Sequence, residues 1–321
     1  MNLQTKIPLN PQLLNQIDYN SDVLLLGSCF VENIGEKLDY FKFRNLQNPF
    51  GILFQPRAIE NLIISAVNQK VYSENDIFFH NEQWHCFDAH SKLSNASKEV
   101  LLDTLNMQVQ ITNLQIKKAS HIIITLGTAW VYRYLETEKV VANCHKVPQE
   151  KFSKELLSVN DILKSIHSVV TQIKNSNPTA NIIFTVSPIR HLKDGFIENT
   201  QSKAHLVTAI HEFLNLQSSI VNHQSFYFPS YELMMDELRD YRFYTDDMIH
   251  PNQTAINYIW NAFKMVWVSD DASKTMDEVD AIQKGIQHKP FNPKSEAHQV
   301  FLQKLSDKKE KLKSDFPHIN F

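Results

Sequence analysis

Four short apolar runs, each stopped abruptly by glycine, serine or proline, constrain this chain more than any other feature. Residues 23–26 (VLLL) stop at Gly27-Ser28, 121–126 (HIIITL) at Gly127, 181–186 (NIIFTV) at Ser187-Pro188, and 225–228 (SFYF) at Pro229. A continuous apolar run of this length reads as a strand buried on both faces, the habit of parallel sheets. Stretches of helical spacing lie around them, over residues 29–38, 95–118, 153–176, 201–222 and 251–268. Strands alternating with helices predict βαβ units, right-handed crossovers and an α/β sheet covered on both faces. Ligands bind such sheets at the C-terminal strand ends, where Ser28, Gly127 and Ser187 fall. The chain has only 6 glycines in 321 residues, against a usual share of roughly 7%. Gly27 and Gly127, each directly after a strand, therefore mark places where a side chain does not fit.

Two segments depart from the alternation. Residues 77–93 are rich in aromatics and histidine, and 130–142 read as a hairpin turning near 136–139. Both are expected as insertions over the strand C-terminal ends. After about Asp270 the chain turns polar, with helices expected over 276–286 and 295–314. The charge run 307–311 in the second reads as a solvated face. The expected division is a catalytic domain over 1–268 and a helical C-terminal extension over 269–321.

Composition narrows the function classes. With 43% hydrophobic residues the chain can build a sizeable core. Lys+Arg 32 against Asp+Glu 35 leaves no basic excess, which argues against nucleic acid as a partner. No apolar run approaches the roughly 18 to 20 residues that span a bilayer, so no membrane partner is expected. The N-terminal residues lack the basic and apolar regions of a secretory signal. Three cysteines (Cys29, Cys86, Cys144) cannot all pair within the chain and fit a reducing compartment. A cytoplasmic location is the expectation; the oligomeric state is open.

The chemistry is carried from opposite ends of the chain. Ser28 follows the first strand; Asp247-Met248-Ile249-His250-Pro251-Asn252 precedes the last core helix, with Pro251 expected as its first residue. Asp247 and His250, three apart, can share one side of a turn. A carboxylate on one imidazole nitrogen leaves the other free to take a serine proton, which a hydroxyl needs before it attacks. Plainer roles compete. Ser28 could cap the following helix, and His250 could be an ordinary helix-start residue. Asp246 differs from Asp247 only in its spacing to His250. Cys29 is a rival nucleophile, because a helix N-terminus lowers a thiol pKa. His80, His85, Cys86, Asp88 and His90 with Asn143-Cys144-His145 contain zinc-ligand types, but their spacing is irregular. They are read as pocket lining or surface loop, and no metal or cofactor is expected. Arg190-His191 could reach the site and meet an anionic group, or form a surface ion pair.

Gly27-Ser28-Cys29-Phe30 with Asn33 and Gly35 resembles the opening of the GSCFA family, a distant branch of the SGNH (GDSL-like) hydrolases. The resemblance continues through Asn48-Pro49-Phe50-Gly51, Leu126-Gly127-Thr128-Ala129-Trp130, Asn143-Cys144-His145-Lys146, Ser187-Pro188-Ile189-Arg190-His191 and Asp247-Met248-Ile249-His250-Pro251. It runs from about residue 22 to 268. It implies a three-layer flavodoxin-like sheet and a serine hydrolase cleaving an ester, an O-acyl group such as acetyl on a carbohydrate or another small polar molecule. Ser28 would be nucleophile, His250 base and Asp247 the orienting acid. The implied oxyanion donors are the Ser28 N–H, a glycine N–H (Gly51) and an asparagine amide. Here the chain departs from the resemblance. Gly127-Thr128-Ala129 stands where the pattern has Gly-x-Asn, which leaves Asn143, Thr128 or a two-donor hole. Two other readings use the same site: a weak or inactive relative binding a glycan or a partner protein, and an O-acyltransferase.

Overall fold

The computed structural model describes residues 5–217 and 224–321. Strands β1 (Asp22–Gly27), β2 (Arg44–Gln47), β5 (His121–Leu126), β9 (Asn181–Val186) and β10 (Ser225–Tyr227) form one sheet in the order β10-β9-β5-β1-β2. Every neighbouring pair in it is parallel. Read from β2, this is the 2-1-3-4-5 order of flavodoxin-like sheets, with its switch point between β1 and β5.

Burial on both faces explains the unbroken apolar runs, since all six residues of β5 and of β9 are buried. Alternate side chains serve two cores. Leu24, Leu26, Ile122, Ile124, Ile182 and Phe184 pack against α2 (Pro56–Val67), α3 (Lys98–Lys118), α4 (Val159–Ser176) and α5 (Phe196–Gln217). Val23, Leu25, Ile123 and Ile183 pack against α1 (Phe30–Tyr40) and α7 (Gln253–Trp267), and this second core also takes in the C-terminal helices α8 (Asp270–Gln287) and α9 (Glu296–Asp315).

Differences from the sequence-based expectation have local causes. The expected helix over 153–176 starts only at Val159. Phe152–Leu156 is strand β8, paired antiparallel with β6 (Trp130–Tyr134), which also pairs β7 (Lys139–Val141) as the expected hairpin. Ser158 ends the strand and begins α4 with a reciprocal cap to Asp161. Pro251 lies outside α7. The cap is Asn252, whose side chain accepts the N–H groups of Thr254 and Ala255. Helix α5 starts earlier than expected, and residues 218–222 of that expected helix lie outside the described residues.

The histidine-rich insertion contains a hairpin, β3 (Phe78–His80) and β4 (Gln83–His85). It is tied to β6 and to the loop after β7 by aromatic and imidazole ring contacts. Phe78 lies 4.2 Å from Phe87, Phe87 4.9 Å from Tyr134, and His85 4.6 Å from His145. His85 bonds Ser94 Oγ and the His80 carbonyl; His145 Nε2 donates to the Cys86 carbonyl at 2.8 Å. These rings are committed to structure, and among the described residues no group of three or more His, Cys, Asp or Glu could hold a metal. Among them, too, no helix is long and apolar enough to cross a membrane.

His145 makes this insertion acid-sensitive. It is 5% exposed, its Nδ1 has no partner, and burial lowers its pKa to about 4. The unfolded imidazole titrates near the ordinary 6.5, so between those values the unfolded chain binds a proton that the folded one refuses. Stability therefore falls as pH drops from 6.5 to 4, by about 3 kcal/mol for this ring. A melting-temperature series over that range should show the loss, and His145→Gln, which keeps a donor for Cys86, should make it shallower, leaving the share of other buried imidazoles such as His191. An equal slope in the variant assigns the acid sensitivity elsewhere.

Candidate active site

The turn after β1 is built for close approach. Gly27 has a φ of +139°, and a Cβ there would sit 2.2 Å from the Thr125 carbonyl oxygen. The chain thus passes directly from strand to α1 with Ser28 at the bend. Ser28 is 1% exposed and lies at the base of a cleft of about 470 Å³. Its Oγ accepts a long bond from the Phe30 N–H at 3.3 Å.

The same cleft is lined by His250, from the loop before α7. Asp247 organises that loop. Its Oδ1 accepts the N–H of His250 at 2.9 Å, the N–H of Ile249 at 2.8 Å and the Thr245 hydroxyl at 2.7 Å. Its Oδ2 meets His250 Nδ1 at 2.6 Å. These bonds, with the His250 N–H as the largest influence, hold the carboxyl well below the usual carboxylate range. Asp247 is therefore ionised wherever the protein is folded near neutrality, and it fixes the imidazole proton on Nδ1. His250 Nε2 is left without a hydrogen-bond partner among the described residues, and no hydrogen bond joins it to Ser28.

The nominated site residues divide. Ser28, Thr128, Arg190 and His250 line the cleft; Gly51, Asn143 and His145 do not. The Gly51 N–H donates to the Asn48 carbonyl at 2.7 Å, and Gly51 borders a separate surface hollow with Glu32 and Lys92. Asn143 uses its side-chain oxygen to accept the His145 N–H at 2.8 Å. The Ser28 N–H continues the sheet ladder to the Thr125 carbonyl at 3.1 Å. Thr128 keeps its hydroxyl within 3.0 Å of Ser202 Oγ, where it also receives the Trp130 N–H. Arg190 lies over the Tyr244 ring. The rival nucleophile Cys29 also lines the cleft, but burial first, then the Glu32 carboxylate, push its thiol pKa up, away from thiolate.

The cleft is also shaped by His191 and Gly127, which the sequence marks, and by Gln55 and Lys203, which it does not. His191 stacks on Phe54 at 5.3 Å, and burial holds its pKa down to about 3. Gly127 makes room for both: a Cβ there would lie 2.9 Å from Phe54 Cβ and 3.1 Å from His191 Nε2. Gln55 is buried at the cleft wall. Lys203, beneath the floor, donates at 2.7 Å to each of the Gly127 and Ser187 carbonyls.

The geometry offers a serine, an imidazole oriented by a carboxylate, and a largely apolar cleft. Comparison with solved structures finds distant likeness only. A carbohydrate esterase family 3 structure from Talaromyces cellulolyticus covers 81% of this chain and 99% of its own at 10% identity and a TM-score of 0.37. An acetyl esterase mutant with acetate ion covers 82% and 99% at 11% identity and 0.37. An acetyl xylan esterase from Butyrivibrio proteoclasticus covers 84% and 65% at 9% identity and 0.37. No curated protein matches. The family comparison is closer: residues 279–321 match the C-terminal domain of GSCFA domain proteins, and residues 22–263 match the GSCFA family itself, to which this chain belongs.

Proposed function

We propose that the protein is a serine hydrolase that cleaves an ester of a small polar alcohol, such as an acylated carbohydrate. The observation that carries this reading is that Ser28 and the Asp247-oriented His250, far apart in sequence, line one cleft at the C-terminal end of β1. In this reading the Ser28 hydroxyl attacks the ester carbonyl and passes its proton to His250 Nε2. The imidazolium then gives that proton to the leaving alkoxide. Water, activated by the same nitrogen, releases the acid from Ser28. Ile52, Phe54, Val131 and Ile189 give the acyl group apolar walls, while Trp130 and Tyr132 offer aromatic faces of the kind that pack on sugar rings.

A second reading, a non-catalytic binder of a glycan or partner protein, is favoured by one observation. The two backbone donors that the family resemblance assigns to the oxyanion are already hydrogen-bonded within the fold. Transfer of the acyl group to an acceptor other than water uses the same residues as hydrolysis.

A fluorophosphonate probe separates enzyme from binder. Covalent labelling at Ser28, with p-nitrophenyl acetate hydrolysis lost in Ser28→Ala, is the expected result. Hydrolysis that survives the substitution, or no labelling of Ser28 at any probe concentration, removes the serine mechanism.

A further inference from the structure

On the serine-hydrolase reading, we propose that the Gln55 carboxamide is the side-chain oxyanion donor, entering from the loop before α2 in place of the asparagine that position 129 lacks.

Gln55 is 3% exposed, and it lines the cleft with Ser28 and His250. Its orientation is settled by its own hydrogen bond: Oε1 accepts the Arg57 N–H at 2.7 Å and so caps α2. That leaves Nε2, the donating end, as the free end, and Nε2 is buried with no partner. Buried amide donors are almost always satisfied, so an orphan in the wall of the cleft that holds Ser28 calls for a ligand acceptor. Pro56 follows directly at the first helical position, with a fixed φ and no N–H, which holds the donor in place.

The backbone before it is fixed as well. The Phe54 carbonyl accepts the N–H groups of Gly127 at 2.7 Å and Thr128 at 3.2 Å. The chain just before Gln55 is therefore fastened to the very turn that carries the departed Gly-x-Asn pattern. Ala129 itself is fully buried, with its N–H taken by Ser202 Oγ at 2.7 Å. When Ser28 Oγ bonds to the carbonyl carbon, the C=O pair moves onto oxygen, and the Gln55 N–H donates to that anion. On collapse the pair returns, the C–O bond to the alcohol breaks, and the alkoxide takes the proton held by His250.

Two variants remove the donor in different ways. Gln55→Ser keeps a favoured helix cap, and Gln55→Met keeps the volume. Both are expected to lower kcat for p-nitrophenyl acetate roughly 10²- to 10³-fold, with KM changed only a few-fold, as loss of one oxyanion donor does. The fluorophosphonate labelling rate of Ser28 should fall in parallel, because the phosphonyl oxygen needs the same donor. A folded variant, judged by its circular dichroism and melting curve, that keeps kcat and labelling rate near wild type overturns the assignment. If Ser28→Ala is then still inactive, the serine mechanism stands without Gln55. Hydrolysis surviving Ser28→Ala overturns both.

Discussion

On the proposed serine mechanism, Asp247→Asn is expected to lower kcat for ester hydrolysis about 10⁴-fold, with the melting temperature almost unmoved. The carboxylate does two separable jobs. Oδ1 shapes the loop by accepting two backbone N–H groups and the Thr245 hydroxyl. Oδ2 accepts the proton on His250 Nδ1. An asparagine side-chain oxygen can do the first job unchanged, so the loop keeps its form. Its amide nitrogen then faces Nδ1, and a donor facing a donor forces the imidazole proton onto Nε2. In that tautomer the ring has no lone pair for the Ser28 proton. The loss should appear in kcat, and labelling of Ser28 should slow with it. A variant within tenfold of wild type would mean that the pair orders the loop and takes no part in proton transfer.

What the sequence made legible follows from what burial writes into it. Strands β1, β5 and β9 are buried on both faces and show as unbroken apolar runs. Strand β2, RNLQ at the sheet edge, is half-buried along its length and shows no such run. Strand β8, FSKEL, sits in a half-buried antiparallel sheet, where polar residues dilute the alternation into an apparent helix start. Ser28, Asp247 and His250 could be nominated from sequence because chemistry restricts their types and one pair is close in sequence. Gly51, Asn143 and His145 were nominated by motif order, which is blind to whether a backbone N–H is already taken. Gln55 and Lys203 emerge only in three dimensions, because an unpaired amide and a lysine nitrogen on two carbonyls are properties of meeting chains. A glutamine directly before a proline at a helix start was the one faint sign of the former.

Lys203→Ala should be the most destabilising single change near the site. The lysine is 1% exposed and ties the C-terminal ends of β5 and β9 through the Gly127 and Ser187 carbonyls. Truncation leaves two buried carbonyls unpaired, at roughly 1–3 kcal/mol each, and a cavity where the stem was. A total near 4 kcal/mol corresponds, for a chain of 321 residues, to a melting temperature lower by about 6 °C. Lys203→Met refills most of the volume and should recover part of that. The pH dependence tests the charge. Burial lowers the lysine pKa from 10.5 to about 7. Between those values the unfolded chain holds a proton that the folded chain has released, so folding is helped as pH rises through that window. Wild type should therefore gain stability relative to Lys203→Met from about pH 7 to pH 10, a comparison that cancels the cysteines and tyrosines titrating nearby. A difference that stays flat over this range would show instead that the two carbonyls hold the ammonium charged. The floor of the cleft, carrying Gly127 and the chain fastened to it, would then rest on a buried cation.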